Sequence, residues 1–389
     1  MDQRREDESP RPPPLAGIGV LDLSRLLPGP LCAQHLADLG AHVIKIEDPK
    51  AGDYVRPAIR RLANRGKEGL TLDLKSAEGR EVFFKLLAEA DVVLESFRPG
   101  VMARLGLAYE TLAQRRPSIV HCAITGYGQT GPRRDAAGHD INYLALAGVL
   151  DQTGREGKPP VIPGFLISDM LGGTLTAAMG ILAALLESRV TGRGRFVDVS
   201  MADAVMAHCV LPAAKFNEAG AVHARGRGTH TGGAPRYNVY AARDGRYLAV
   251  GAQEKKFWDT LCDALELPEL KDKHQPGADE TDAVSERLAR AFGRRSAAEW
   301  LAILEPLDCC VSPVLTCEEA LADPGFVARG TVHKAGGGPV TLGLPLAMSG
   351  HSCPVERPSP ARGEHSAAIL RRLGYGAAEI DGLRARGVV

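Results

Sequence analysis

Three side chains of this chain, His139, Asp169 and Glu254, have the types and settings from which chemistry could be built. His139 stands in Ala137-Gly138-His139-Asp140-Ile141-Asn142-Tyr143, and Asp169 in Ser168-Asp169-Met170. Both are bordered by small or turn-forming residues, which let a side chain reach a cleft instead of a core. An imidazole exchanges its proton near neutral pH. Set across a carbon atom from a carboxylate, it can strip hydrogen from one face while the partner returns hydrogen to the other. The carbon must first be acidified, as it is beside a thioester carbonyl. Asp169 precedes an apolar run containing Gly172 and Gly173, so Ser168 or Asp169 is expected to cap a helix. The free N–H groups of that first turn would hold an enolate oxygen, and the two glycines would permit its close approach. Glu254, in Gly251-Ala252-Gln253-Glu254, reads either as a solvated charge or as the group that holds His139 in one tautomer. No metal site is expected.

Cations that could meet phosphate are Lys75 in Leu72-Asp73-Leu74-Lys75, Arg98 in Ser96-Phe97-Arg98-Pro99-Gly100, and Arg104. Their positioning elements can be read from apolar runs. Residues 18–23 and 42–47 are short and apolar, with an amphipathic stretch at 31–39 between them, which makes a βαβ unit. Helices are predicted over 78–88 and near 99–105, and strands over 91–95 and 119–125. Near-continuous apolar strands of this kind build a parallel sheet covered on both faces, a doubly wound α/β layer. Arg98 would then lie at the C-terminal end of a strand, where ligands of open α/β sheets bind. The first βα turn has Leu27-Pro28-Gly29-Pro30 instead of a Gly-x-Gly-x-x-Gly run, and there is no Walker A run. A dinucleotide or nucleoside triphosphate site of those kinds is therefore not expected.

Beyond residue 203 the texture changes to the Gly-rich, basic segment 225–235, then strands over 237–241 and 247–250, and helices over 256–265 and 283–292. The expected organisation is a disordered tail at 1–14, a large domain at 15–205, a small α+β domain at 206–324, and a return segment at 325–389 with helical stretches at 364–373 and 377–386. The 389 residues carry 47 basic and 47 acidic side chains. Such a balance argues against a nucleic-acid or membrane-surface partner. The eight cysteines are scattered without a Cys-x-x-Cys pair and read as reduced thiols of a cytoplasmic protein. The charged, proline-rich start lacks a secretory signal, the last three residues are no peroxisomal address, and the apolar stretch 170–186 reads as a core helix.

With these residues in view, the chain resembles the family III CoA-transferase superfamily, and within it the alpha-methylacyl-CoA racemases. The wider superfamily is echoed in Val43-Ile44-Lys45-Ile46-Glu47, Leu72-Asp73-Leu74-Lys75, Arg98-Pro99-Gly100 and the run from Thr125 to Pro132. The racemase branch is echoed in Gly138-His139-Asp140-Ile141-Asn142-Tyr143, Gly232-Gly233-Ala234-Pro235 and Val250-Gly251-Ala252-Gln253-Glu254. The resemblance implies His139 and Asp169 as the paired acid and base, with Glu254 supporting His139. It implies coenzyme A contacts at Leu72, Asp73, Leu74, Lys75, Ser96, Phe97, Arg98, Arg104, Gly138, His139, Asp140, Ile141, Asn142 and Tyr143. It also implies an interlocked homodimer of a Rossmann-like large domain and a small domain, acting on an acyl-CoA thioester. Coenzyme A would enter with the substrate, and no cofactor would be tightly bound. The activity implied is a 2-methylacyl-CoA epimerase. The alternative is a CoA-transferase in which Asp169 forms a mixed anhydride and then an aspartyl-CoA thioester, and a third is a CoA-binding protein without activity. Two departures stand out: Asp48 where relatives often carry an arginine, and Arg236 where racemases usually have an aromatic residue.

Overall fold

In the computed structural model, residues 11–334, 338–353, 355 and 357–389 are described. Most of the expected tail lies outside them, but Pro13 already accepts a hydrogen bond from the Ala16 N–H. Six strands form one wholly parallel sheet: β1 (Gly19–Asp22), β2 (His42–Glu47), β3 (Glu68–Thr71), β4 (Val92–Glu95), β5 (Val120–Thr125) and β6 (Phe196–Ser200). Their spatial order is β3-β2-β1-β4-β5-β6. The chain therefore winds outward in both directions from β1, and the order reverses between β1 and β4. Every residue of β4 and β5 is buried, as both-face coverage requires. Alternate side chains feed two cores. Leu21, Ile44, Leu70 and Val93 point into one, while Val20, Val43, Val92 and Leu94 point into the other. The C-terminal helices Ser366–Arg372 and Ala377–Ala385 close the first core with Ile369, Leu370, Ile380 and Leu383.

Local chemistry moved several boundaries. Pro28-Gly29-Pro30, placed by the sequence in the βα turn before residue 31, is the first turn of helix Pro28–Asp38, where a proline loses no intrahelical hydrogen bond. β3 escaped the sequence because Glu68-Gly69-Leu70-Thr71 has a single large apolar residue. The 170–186 stretch is a π-helical segment, Ser168–Leu175, running into helix Thr176–Thr191. It is not a uniformly buried core helix. Ala177, Ile181, Ala184 and Leu185 pack into the second core, whereas Leu175, Met179, Leu182, Leu186 and Val190 form an exposed apolar stripe. By length and composition alone, Ser168–Thr191 is also the one helix among the described residues apolar enough to cross a membrane.

Contacts divide the chain into two compact units. The first runs to Ala147 and adds Phe165–His208 and Leu321–Val389; the second is Gly148–Gly164 with Cys209–Ala320. Residues 148–164, expected in the large domain, thus fall with the second unit. The cause is a staple: the Arg225 guanidinium donates to the carbonyl and carboxylate of Asp151. The second unit carries the antiparallel sheet β7 (Tyr237–Ala241), β8 (Tyr247–Gly251) and β9 (Val311–Pro313) in that order. Its core is built on Trp258, Phe292 and Trp300 from three helices.

Candidate active site

The switch point between β1 and β4 rests on buried charge. Asp22, Lys45 and Lys67 have wholly buried side chains. Lys67 Nζ donates to Asp22 Oδ2 at 2.8 Å, to the Pro30 carbonyl at 2.7 Å and to Asn64 Oδ1 at 2.9 Å. Burial alone would raise the Asp22 carboxyl, but Lys45 and Lys67 more than offset it and its pKa is lowered. Burial in turn brings Lys67 down to about 8. Asp22 also holds the turn that follows β1, accepting from the Ser24 N–H and hydroxyl, while Lys45 donates to the Ser24 carbonyl. Leu26 completes that turn in the left-handed region, φ 66°, its N–H held by Asp53 Oδ1 at 2.9 Å.

The turn presents Arg25, which the sequence reading did not single out. Its guanidinium carbon lies 5.3 Å from the Tyr54 ring centre and 5.2 Å from that of Phe97. On one side of it is a cavity of about 580 Å³, lined by Leu72, Asp73, Leu74, Lys75, Ser96, Phe97, Arg98 and Arg104. These are the expected coenzyme A contacts of the first hundred or so residues. On the other side is a cavity of about 260 Å³ that holds Gly138, His139, Tyr143 and Asp169. Arg25, Leu26, Ser96, Phe97 and Arg98 line both. The two spaces therefore adjoin, and one long ligand could lie through them. Asp48 is on the larger wall. Burial works to raise its carboxyl, but the N–H groups of Ala51 and Lys50, with the charges of Lys75 and Arg25, hold it below the usual value.

His139 and Asp169 are brought together by Asp140. His139 precedes helix Asp140–Leu146 in extended conformation and is exposed, its N–H donating to Asn142 Oδ1 at 3.0 Å. Asp140 is buried, and its Oδ1 accepts the Asp169 N–H at 3.0 Å across to the π-helical segment. Tyr143 donates to the Gly138 carbonyl at 2.6 Å and packs edge-on against Tyr127. A β-carbon on Gly138 would lie 2.7 Å from the Tyr143 ring, so only glycine fits there. Asp140, Ile141 and Asn142, expected to touch coenzyme A, are not among the residues lining either cavity: the first and last brace the loop, and Ile141 faces outward.

The Asp169 carboxyl is pushed up to about 6, chiefly by burial, with Asp140 adding to the rise and His139 opposing it. Two expectations about this segment do not hold. Neither Ser168 nor Asp169 caps the helix, since Ile167 is already helical and the Asp169 N–H is taken by Asp140. Gly172 and Gly173 make room for protein, not ligand: added β-carbons would meet the Met201 carbonyl at 2.6 Å and the Pro28 ring at 2.5 Å. A π-turn at this point is the local irregularity that recurs at functional sites.

Glu254 belongs to the second unit, exposed after β8 at the start of helix Lys255–Ala264. The residue before it is fixed by Arg236, whose Nε donates to Gln253 Oε1 at 3.1 Å and whose Nη1 donates to the His274 carbonyl at 2.8 Å. The Arg236 cation is thereby tied into its own unit. Besides Arg25, the smaller cavity includes Arg134, which the sequence reading also passed over, and Tyr127, which lies within the run from Thr125 to Pro132. The signal for Arg25 was its place directly after the first strand; Arg134 was hidden in the charged run Arg133-Arg134-Asp135. No group of three or more histidine, cysteine or acidic side chains among the described residues is arranged to hold a metal ion.

The model of CoA-transferase family III matches residues 15–366. The chain belongs to that family. It is 37% identical over 369 residues to the human alpha-methylacyl-CoA racemase, covering 94% of this chain and 95% of the relative. It is 34% identical to the acetyl-CoA:oxalate CoA-transferase of Acetobacter aceti, over 92% of this chain and 95% of the relative. Among solved structures, a CAIB/BAIF family protein from Brucella suis superposes with a TM-score of 0.82 at 30% identity, covering 93% of this chain and 100% of that one. The named relatives thus include both a racemase and a CoA-transferase, enzymes that act on CoA thioesters.

Proposed function

We propose that this protein is a 2-methylacyl-CoA epimerase, exchanging the hydrogen at the carbon beside a CoA thioester through an enolate. The observation that carries the reading is His139 and Asp169 on the wall of one small cavity that opens beside a larger, cation-lined one. The nucleotide would meet Lys75, Arg98 and Arg104, and the thioester would pass Arg25 and Phe97 to reach the pair. In one direction the Asp169 carboxylate takes the α-hydrogen and an imidazolium at His139 supplies the other face; in the reverse direction the acid and base exchange roles. The pair then carries one mobile proton. A carboxyl raised to about 6 is a stronger base than an ordinary carboxylate, which favours its taking the α-hydrogen. The exposed apolar stripe from Leu175 to Val190 supports a homodimer, because a surface of that kind is rarely left in water. With no tightly bound cofactor and a cytoplasmic location, the enzyme would work on the thioester alone.

The similarity to CoA-transferases favours one other reading, with Asp169 as the nucleophile that accepts the acyl group. Incubation of 2-methylpentanoyl-CoA in D₂O without a free acid separates the two. Deuterium at the α-carbon is the expected result. No exchange, together with CoA moving onto added succinate, would replace the epimerase reading by the transferase one.

A further inference from the structure

We infer that the smaller cavity takes an acyl group that itself ends in a carboxylate, with Arg134 as the partner of that charge. The inference rests on the cavity being an acyl-CoA site and names the class of acyl group. Residues 131–137 form a tight loop, closed by the Ala136 N–H on the Arg133 carbonyl at 2.9 Å. The loop places Arg134, Ala136 and Ala137 on the wall that also carries His139 and Asp169, while Arg133 and Asp135 are off it. Three arginines, Arg25, Arg98 and Arg134, and one acidic residue, Asp169, therefore line the space. Arg25 and Arg98 also line the larger cavity, where the phosphates of a CoA thioester would answer them. Arg134 has no such share. Its contact with Asp135 is an exposed one at 3.6 Å, longer than a hydrogen bond, so its donors remain available.

A hydrocarbon chain laid against that guanidinium would displace water from it and return no hydrogen bonds. A carboxylate would return two, charge-assisted and matched to the fork of the arginine. A free carboxylic acid offers the same chemistry, but the volume of about 260 Å³ leaves little room for a second molecule beside a short acyl group. The charge is thus assigned to the acyl chain itself.

The test compares two thioesters of equal length, 2-methylglutaryl-CoA (thioester beside the methyl-bearing carbon) and 2-methylpentanoyl-CoA. Deuterium uptake gives kcat/KM for each, and calorimetry gives each Kd. The wild type should prefer the carboxylated thioester by roughly tenfold to a hundredfold, Arg134→Gln should abolish the preference, and Arg134→Lys should keep part of it. Equal use of both thioesters, or a preference that survives Arg134→Gln, overturns the inference and leaves the epimerase reading intact. If neither thioester exchanges, a Kd preference that depends on Arg134 still upholds the inference while the epimerase reading fails. Arg134-dependent capture of CoA by free glutarate would overturn it, by assigning the carboxylate to a second substrate.

Discussion

The charges beneath the switch point and the charges in the smaller cavity are handled in opposite ways. Asp22, Lys45 and Lys67 are removed from water altogether, and every step of that burial is answered by an ion pair or a carbonyl. Asp169 takes no side-chain hydrogen bond from the described residues, and burial with the nearby Asp140 charge keeps its pKa raised. A saturated network holds geometry. An unsaturated carboxyl with a raised pKa is a stronger base than an ordinary carboxylate, which suits it to take a carbon-bound proton. Glu95 shows that burial alone is not the distinction. It is pushed up to about 8, chiefly by burial, yet it is not among the residues lining either cavity and instead accepts the Phe97 N–H.

The sharpest way to break the contrast is in the cavity. Asp169→Asn or His139→Gln should reduce α-deuteration by about 10²- to 10⁴-fold while the Kd for the thioester moves only a few-fold. Single-turnover exchange and calorimetry together check this, and a matching loss in both would mean the residue serves binding, not proton transfer.

In the network, Lys67→Met leaves Asp22 buried with one cation fewer. A loss of stability of about 3–5 kcal/mol is expected, read by urea denaturation. A loss below about 1 kcal/mol would show that the network contributes little to holding the turn.

Glu95→Gln sharpens the comparison through pH. A carboxyl whose folded pKa is raised stabilises fully below its unfolded value and loses that contribution as pH climbs through the folded value. The wild type should therefore lose stability between the unfolded glutamate range, about 4.3, and about 8. The variant should lack this decline, a difference on the order of a few kcal/mol at the upper end. Parallel stability–pH curves would contradict the buried, protonated assignment.

The smallest effect is at Asp140→Asn, which keeps an acceptor for the Asp169 N–H but removes the like charge. The limb of the kcat/KM–pH profile that reports Asp169 should move to lower pH by less than about one unit. A limb moving upward would mean that Asp140 acts through position and not through charge.

Sequence periodicity was enough for β1, β2, β4 and β5, because strands buried on both faces are mostly apolar even where they carry Asp22, Lys45 or Glu95. His139 and Asp169 were singled out as candidates by their turn-forming neighbours, which are local in the chain. Periodicity failed at β3 and β6, where Glu68-Gly69 and the alternating Phe196–Ser200 reflect edge-side pairing that no local pattern encodes. It failed again at Arg25 and Arg134, ordinary surface charges until the sheet order brings the turn after β1, the loop after β4 and the loop before His139 around common spaces. The residue types and their chemistry are thus properties of the linear chain. The meeting of Asp140 with Asp169, the π-turn that carries the carboxyl and the rise in its pKa arise only from packing, because burial and charge proximity are set by residues distant in sequence.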